Sequence, residues 1–174
     1  MRVVCLAWAL VYVPLHVWAQ RSPAAEEVEA AYLYQFGRYV DWPADRQDNS
    51  DTFFICVLGT DPFGATLDET VAGRVIGGGQ VAVRRIAGPD ESQGCRILFV
   101  SPSEESRMPE VLKALEGTGV LTVGRGPTFT RQGGMIAFTF EGRKVRFVVN
   151  LAATDAEALT LSSQLLRVAG RVEK

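Results

Sequence analysis

A nearly continuous apolar run followed by a turn occupies residues 52–62, Thr52-Phe53-Phe54-Ile55-Cys56-Val57-Leu58-Gly59-Thr60-Asp61-Pro62. Apolar side chains stand at odd and even positions alike, so a strand here would be buried on both faces, as in a parallel sheet. Asp61 suits the N-cap of a following helix, and Pro62 suits its first turn. The stretch therefore predicts a buried strand that leads through a tight turn into a helix.

The rest of the chain continues this alternation of strands and helices. Further strands are predicted at 75–76, 80–86, 95–100 and 120–123, with a hairpin at 135–151. Helices are predicted at 26–40, 61–72, 101–115 and 154–169. The last two begin with capping boxes, Ser101 with Glu104 and Thr154 with Glu157, and Ser162 is expected to lie buried inside the last helix. The predicted fold class is α/β: a single-domain sandwich with a mostly parallel sheet, an antiparallel hairpin and helices on both faces.

Length and composition limit the class of protein. The chain has 174 residues, enough for one domain, and its 47% hydrophobic and 22% charged residues are typical of a globular chain. The formal net charge of −2 gives no electrostatic support for a nucleic-acid partner. Nucleotide binding lacks motif support as well, because the sequence contains neither GxGxxG nor a P-loop pattern.

The amino terminus has the pattern of a secretory signal peptide. Arg2 precedes an apolar run, and Val17 and Ala19 place small side chains before a cleavage point at Gln20. We predict a signal peptide at residues 1–19 and a mature domain at residues 20–174, located in the periplasm and without a transmembrane segment. The alternatives are cleavage after Ala24 or Ala25, or a buried amino-terminal helix.

Removal of residues 1–19 would leave no histidine, because His16 is the only one in the chain. Ser-His-Asp and Cys-His mechanisms need a histidine, and histidine is the commonest zinc ligand. We therefore expect no catalytic residues, no metal and no cofactor. An enzyme is the least favoured hypothesis, although Asp, Glu, Ser or Lys can catalyse without histidine.

Two cysteines, Cys56 and Cys95, remain after the predicted cleavage. An even number in an oxidising compartment indicates one disulfide, with two separate buried thiols as the alternative. A bridge would require the strand that contains Cys56 and the strand that begins at Cys95 to be neighbours, because bonded cysteines have Cα atoms about 4.4–6.8 Å apart.

The carboxyl ends of three predicted strands form a candidate ligand site. Thr60, Ser101 and Arg125 lie at or just beyond these ends, where α/β sheets bind small molecules. The alternative is ordinary strand-to-helix turn chemistry, which uses the same residue types.

The polar face of the first helix is a candidate interface. Tyr34 and Arg38 lie on this face, and an exposed aromatic residue is typical of surfaces that bind another protein. The partner would be a second copy of the chain or a membrane enzyme; the alternative is an isolated surface tyrosine.

Taken together, several segments resemble the YfiR family of periplasmic regulators. They follow the family order over nearly the whole predicted mature chain: Ala30-Ala31-Tyr32-Leu33-Tyr34-Gln35-Phe36, Val40-Asp41-Trp42-Pro43, residues 55–64, residues 95–101, Val120-Leu121-Thr122-Val123, Gly133-Gly134-Met135-Ile136, residues 146–151 and residues 161–166. The resemblance implies a single α/β domain, often dimeric, without known catalysis. It also implies a disulfide, because the two cysteines match a pair that the family joins.

The resemblance further implies a function. In the family the periplasmic protein binds the periplasmic domain of an inner-membrane diguanylate cyclase and lowers the output of cyclic di-GMP. We therefore expect a non-enzymatic regulator whose partners are a membrane-bound signalling enzyme and a second copy of itself. The alternative is a periplasmic small-ligand sensor that serves another membrane signalling protein, such as a sensor kinase.

The signal-peptide prediction can be tested directly. The protein recovered from the periplasm should have an amino terminus at Gln20 or a few residues later, because signal peptidase cuts after a small residue such as Ala19. Edman sequencing or mass spectrometry of the intact protein measures this. Uncleaved protein confined to the cytosol would contradict the predicted export.

Overall fold

The computed structural model describes residues 23–43 and 51–174. The predicted signal peptide, residues 1–19, lies outside the described residues. The helices are α1 (Pro23–Tyr39), α2 (Ala65–Val71), α3 (Met108–Leu115), α4 (Pro127–Arg131), α5 (Leu151–Ala156) and α6 (Ser163–Val168). The strands are β1 (Val40–Asp41), β2 (Thr52–Leu58), β3 (Val75–Ile76), β4 (Gly79–Ile86), β5 (Cys95–Val100), β6 (Leu121–Arg125), β7 (Ile136–Glu141), β8 (Lys144–Asn150), β9 (Thr160–Leu161) and β10 (Arg171–Glu173).

Eight strands form one mostly parallel sheet in the order β10-β8-β7-β6-β5-β2-β4-β3. Neighbours from β4 to β7 pair in parallel, as do β8 and β10, whereas β7–β8 and β3–β4 pair antiparallel. Strands β1 and β9 form a separate two-stranded antiparallel sheet. The predicted α/β class, with its mostly parallel sheet and its hairpin, is confirmed.

Each face of the sheet has its own apolar core. On one face Ile55 and Val57 of β2 pack with side chains of α1, α2 and α6. On the other face Cys56 and Leu58 pack with side chains of α3 and α4. Because neighbouring residues of a strand point to opposite faces, the unbroken apolar run of β2 supplies both cores. Helices therefore cover both faces, as predicted.

A β-bulge brings the two cysteines to the same face. Phe54 pairs with Cys95 and Ile55 pairs with Ile97, so Arg96 is an extra residue in β5. The extra residue turns Cys95 to the α3 side of the sheet, where it meets Cys56 across a Cα–Cα distance of 5.9 Å. The disulfide is formed, both cysteines are buried, and β2 and β5 are neighbours as the bridge required.

The prediction of one continuous helix over residues 154–169 is wrong. The chain instead forms α5, β9 and α6, and Ala158 between them has a positive φ of 55°. Ser162 is half-buried and caps α6, where its Oγ accepts a hydrogen bond from the Leu165 N–H at 3.2 Å. Strand β9 pairs with β1 across the domain, and this long-range pairing overrides the local helical pattern.

Three further helix predictions need correction. Helix α2 begins at Ala65 after the N-cap Gly64, so Asp61 does not cap it and accepts a hydrogen bond from the Phe63 N–H at 2.8 Å instead. Ser101 makes no capping bond; a 3-10 helix spans Pro102–Arg107, and α3 begins only at Met108, with a proline in its first turn. Asn150 caps α5, so Thr154 lies inside that helix instead of opening one. Short helix α4 was not predicted, because five residues after Gly126 contain too little periodicity to recognise.

We predict that Cys56→Ser destabilises the protein strongly. The bridge closes a span of 39 residues, and the loss of such a cross-link costs about 4 kcal/mol by the chain-entropy estimate. Urea unfolding of the variant and of the reduced wild-type protein should give the same lowered midpoint. Cys56→Ser/Cys95→Ser serves as the control and should match the single variant. Equal midpoints for oxidised and reduced wild-type protein would contradict a structural role for the bridge.

Candidate functional site

The strand-end crevice is closed by hydrogen bonds between its own loops. Strand β2 has β4 on one side and β5 on the other, which is the arrangement at which open α/β sheets bind ligands. Here the Ser101 N–H donates to the Leu58 carbonyl at 3.0 Å, and the Thr60 N–H donates to Ser103 Oγ at 3.0 Å. The loops after β2 and β5 therefore satisfy each other where a ligand would otherwise bind.

Arg125, at the end of β6, is buried in an ion-pair cluster. Its guanidinium contacts both carboxylate oxygens of Glu29, a fully buried residue of α1, and lies 3.7 Å from a carboxylate oxygen of Glu26. The rings of Phe63 and Phe99 lie 5.8 and 5.6 Å from its guanidinium carbon. Only 6% of the Arg125 side chain is exposed, so its charge serves to hold α1 on the sheet.

The structure brings two of the three predicted ligand residues to one small cavity. Ser101 and Arg125 line a space of about 30 Å³, whereas Thr60 is exposed outside it. A single water needs about 10–15 Å³ of such space, so this cavity is of water size. Ligand binding by Thr60, Ser101 and Arg125 stays a prediction, and the geometry gives it little room.

Tyr34 is half-buried, whereas the sequence predicted an exposed side chain. Its ring packs against the α1-side core, and the guanidinium carbon of Arg74 lies 5.2 Å from the ring centroid. Arg74 belongs to the turn between α2 and β3, and α2 packs beside α1. A helical wheel of α1 alone cannot show that Arg74 lies over the Tyr34 ring. Arg38, one turn further along, is exposed as predicted, with its guanidinium carbon 5.8 Å from the Tyr39 ring.

A groove of about 410 Å³ lies beside Arg38, which we call the α1–β3 groove; its main lining residues are Arg38, Trp42, Phe53, Val75 and Ile76. Val75 is 49% exposed, and Trp42 is half-buried with its ring edge-on to Phe53 at 5.6 Å. The groove thus places apolar side chains beside the exposed cation Arg38, within a lining that is polar over more than half of its surface. The sequence alone does not reveal this groove, because its lining comes from α1, β2 and β3, which meet only in the folded chain.

Long-range hydrogen bonds fix Trp42, which forms one wall of the groove. Its indole Nε1–H donates to the Gly119 carbonyl at 3.0 Å. The Glu157 carboxylate accepts bonds from the N–H groups of Gly117 and Gly119 at 2.7 and 2.8 Å. Both glycines have φ near +70°, a conformation that side chains disfavour, and it turns both N–H groups toward one carboxylate. The groove wall is therefore held by contacts from distant parts of the chain.

A second charged cluster ties the turn after β2 to α2 and β4. Arg85 donates to Asp61, to Asp68 and to the Gly64 carbonyl. The hydrogen bond from Arg85 lowers the pKa of Asp68, and the same bond raises the pKa of Arg85. Each charge in the cluster has its partner within the cluster, so it stabilises the turn and offers no open binding position.

The described residues contain neither a metal-binding cluster nor a membrane-spanning helix. Within 23–43 and 51–174, no three His, Cys, Asp or Glu side chains are grouped so as to hold a metal ion. No helix in the same part of the chain is long and apolar enough to cross a bilayer.

These features define the class of protein: a single α/β domain with a closed strand-end crevice, a buried disulfide and a groove beside Arg38. The chain belongs to the YfiR/HmsC-like family, whose model matches residues 26–170. Members of this family are periplasmic regulators of cyclic di-GMP signalling and are regulatory rather than catalytic. The resemblance noted from the sequence is thereby confirmed.

Solved structures share the fold at low sequence identity. A conserved domain protein from Vibrio cholerae is similar with a TM-score of 0.55 and 9% identity, over 85% of this chain and 60% of that one. The ABC domain in complex with L-Trp from Streptococcus pneumonia is similar with a TM-score of 0.51 and 12% identity, over 69% of this chain and 56% of that one. The present chain therefore spans less than two thirds of either structure, and at these identities the likeness concerns the fold alone.

We predict that Arg125→Met is strongly destabilising because it leaves the buried carboxylate of Glu29 without its cation. Breaking a buried ion pair costs about 3–5 kcal/mol. Arg125→Met/Glu29→Gln should recover part of the loss, because the second change removes the unpaired charge. Urea unfolding of both variants measures the difference. A single variant as stable as wild type would leave Arg125 available for a ligand and would contradict the structural role.

Proposed function

We propose that this protein is exported to the periplasm and binds the periplasmic domain of an inner-membrane diguanylate cyclase, repressing its output without catalysing a reaction. The observation that carries the proposal is the α1–β3 groove, in which exposed apolar side chains lie beside the exposed cation Arg38. Family membership supports a regulatory role in cyclic di-GMP signalling. The closed strand-end crevice favours recognition at the surface over chemistry within a pocket.

The chemistry of the groove suggests what it binds. Val75 and Ile76 provide aliphatic surface, while Arg38 and Arg96 outnumber Asp41 among the charged residues of the lining. A complementary segment would carry an apolar side chain next to a carboxylate. Truncation of a side chain that anchors an interface weakens the binding free energy by roughly 2 kcal/mol or more. A second copy of the chain could also use this face, and homodimerisation remains part of the proposal.

We expect Arg38→Ala and Val75→Ser to weaken binding at least about tenfold while leaving the fold intact, because both side chains are exposed and a contact of this kind is worth roughly 2 kcal/mol. Co-purification with membranes that contain the cyclase measures binding, and cellular cyclic di-GMP measures repression. Tyr34→Ala is a poorer probe of the interface, because Tyr34 packs against the core and its loss also lowers stability.

Lys113→Ala is the matched control, since Lys113 is also an exposed cation and lies on α3, on the opposite face of the sheet. It should bind and repress like wild type. Wild-type behaviour of both groove variants would remove the α1–β3 groove from the proposal. Loss of repression in Arg38→Ala and Lys113→Ala, with Val75→Ser unaffected and stability unchanged, would indicate a general charge effect in place of a specific groove.

Ligand sensing is the alternative function, through Thr60, Ser101 and Arg125. It has less support, because Arg125 is paired with Glu29 and the adjacent cavity is of water size. The L-Trp complex of the Streptococcus pneumonia domain concerns that protein and shares only the fold. A ligand that raises the melting temperature of wild type but not of Ser101→Ala would favour this alternative.

A further inference from the structure

One edge of the sheet carries an excess of positive charge. We call it the β8–β10 edge and define it as residues 136–150 and 163–174, which comprise β7, β8, α6 and β10. It contains six basic residues and two acidic ones, a net charge of +4 in a chain whose net charge is −2. The basic residues are Arg143, Lys144, Arg146, Arg167, Arg171 and Lys174, and the acidic ones are Glu141 and Glu173.

Four of these cations are available for an external partner. Both glutamates of the edge are taken up locally, Glu141 by Arg146 at 3.3 Å and Glu173 by Arg171 at 3.6 Å. The other four basic residues, Arg143, Lys144, Arg167 and Lys174, are exposed and form no ion pair within residues 23–43 and 51–174. The unneutralised charge therefore belongs to side chains that point into solvent.

The same edge also exposes apolar side chains. Phe140 is 39% exposed, Val168 is 54% exposed and Val172 is 36% exposed. Phe140 pairs with Val145 and Val172 pairs with Val149, so both emerge on the α1 side of the sheet. Lys144, Arg146 and Arg171 alternate with those positions and therefore emerge on the opposite side. An object that approaches the edge meets an apolar row and a cationic row together.

A cleft of about 440 Å³ runs along this edge, with Pro127, Thr139, Val148, Gly170 and Arg171 among its lining residues. Its lining also includes Glu141, and Arg171 is paired with Glu173, so the cleft is not itself an anion site. The cleft adds a recess to the exposed surface of the edge.

We propose that the β8–β10 edge docks onto an anionic phospholipid bilayer. Cations at a hairpin turn, a helix end and the chain terminus are spread along the edge and do not converge on one pocket, which suits a diffuse sheet of negative charge. The exposed aliphatic and aromatic side chains of the same edge suit the boundary of the acyl chains. A second copy of the same edge would be repelled, because both surfaces carry the same charge.

The proposal adds a location to the proposed function and does not depend on it. Strand β10 and strand β3 form opposite edges of the sheet, so a protein docked through the β8–β10 edge keeps the α1–β3 groove away from the lipid. The groove would then be free to bind a protein domain that projects from the same membrane.

Vesicle sedimentation tests the proposal without any partner protein. The processed protein is mixed with vesicles of phosphatidylcholine alone or with about 40% phosphatidylglycerol. Its amino terminus is verified first, because a retained apolar leader would itself bind lipid. We expect binding to the anionic vesicles only, and weaker binding when salt rises from about 0.1 M to about 0.5 M. Arg143→Gln/Lys144→Gln should lower the partition coefficient about 30-fold, since each cation at an anionic surface is worth about 1 kcal/mol.

Arg74→Gln/Lys113→Gln makes the same change in net charge at exposed positions away from this edge, and it should bind vesicles nearly as well as wild type. Val168→Ser changes no charge and should weaken binding about threefold by removing exposed aliphatic surface. Equal loss in the two double variants, or no difference between neutral and anionic vesicles, would overturn the proposal. Membrane binding that appears only when the cyclase is present would also overturn it, by assigning the edge to a protein. Vesicle binding with normal affinity but no repression would instead contradict only the proposed function.

Discussion

The burial of both faces of strand β2 is the constraint on which the rest of the structure depends. Its side chains alternate between a core under α1 and α2 and a core under α3, so both layers of helices must be present before the strand is covered. Strand β2 also lies where the sheet grows in both directions, with β4 on one side and β5 on the other. The bulge at Arg96 adapts β5 to this position and brings Cys95 to Cys56, which cross-links the two central strands from within the core.

Polar contacts between distant segments add to the packing of the two apolar cores and help to hold the helices on the sheet. Arg125 and Glu29 are 96 positions apart and join α1 to the end of β6. Trp42 and Glu157 both bind the loop around Gly119, and β1 pairs with β9 beside them. Buried ionic and hydrogen-bonded groups of this kind are costly if left unpaired, so they favour one arrangement of the helices over alternatives with similar apolar burial. The amino-terminal helix is thereby tied to segments near the carboxyl terminus.

These contacts shape where the protein can act. In many α/β proteins the carboxyl ends of the strands hold a ligand, but here Ser101, Ser103 and the turn after β2 bond to one another, and Arg125 is neutralised by carboxylates. Two exposed surfaces of different chemistry lie at the edges of the sheet: a groove near β3, where apolar side chains lie beside Arg38, and a cationic edge with apolar side chains at β8 and β10. A domain with a closed centre and two chemically distinct edges suits the two proposed roles, in which one edge binds a protein and the other a membrane.

Local pattern was enough to predict the α/β class, the central strands, the hairpin and helix α1, because apolar periodicity reports directly on which faces must be buried. The single remaining cysteine pair made the disulfide predictable as well. Local pattern failed where distant segments compete with it: residues 154–169 are helical in propensity, yet β9 is drawn out to pair with β1. It also failed for Tyr34, which packs against the core with Arg74 over its ring, and for Arg125, whose charge Glu29 satisfies from 96 positions away. Whether a polar or aromatic side chain is free to bind a partner depends on neighbours that only the folded chain brings together, so tertiary packing decided which surfaces are candidates for binding.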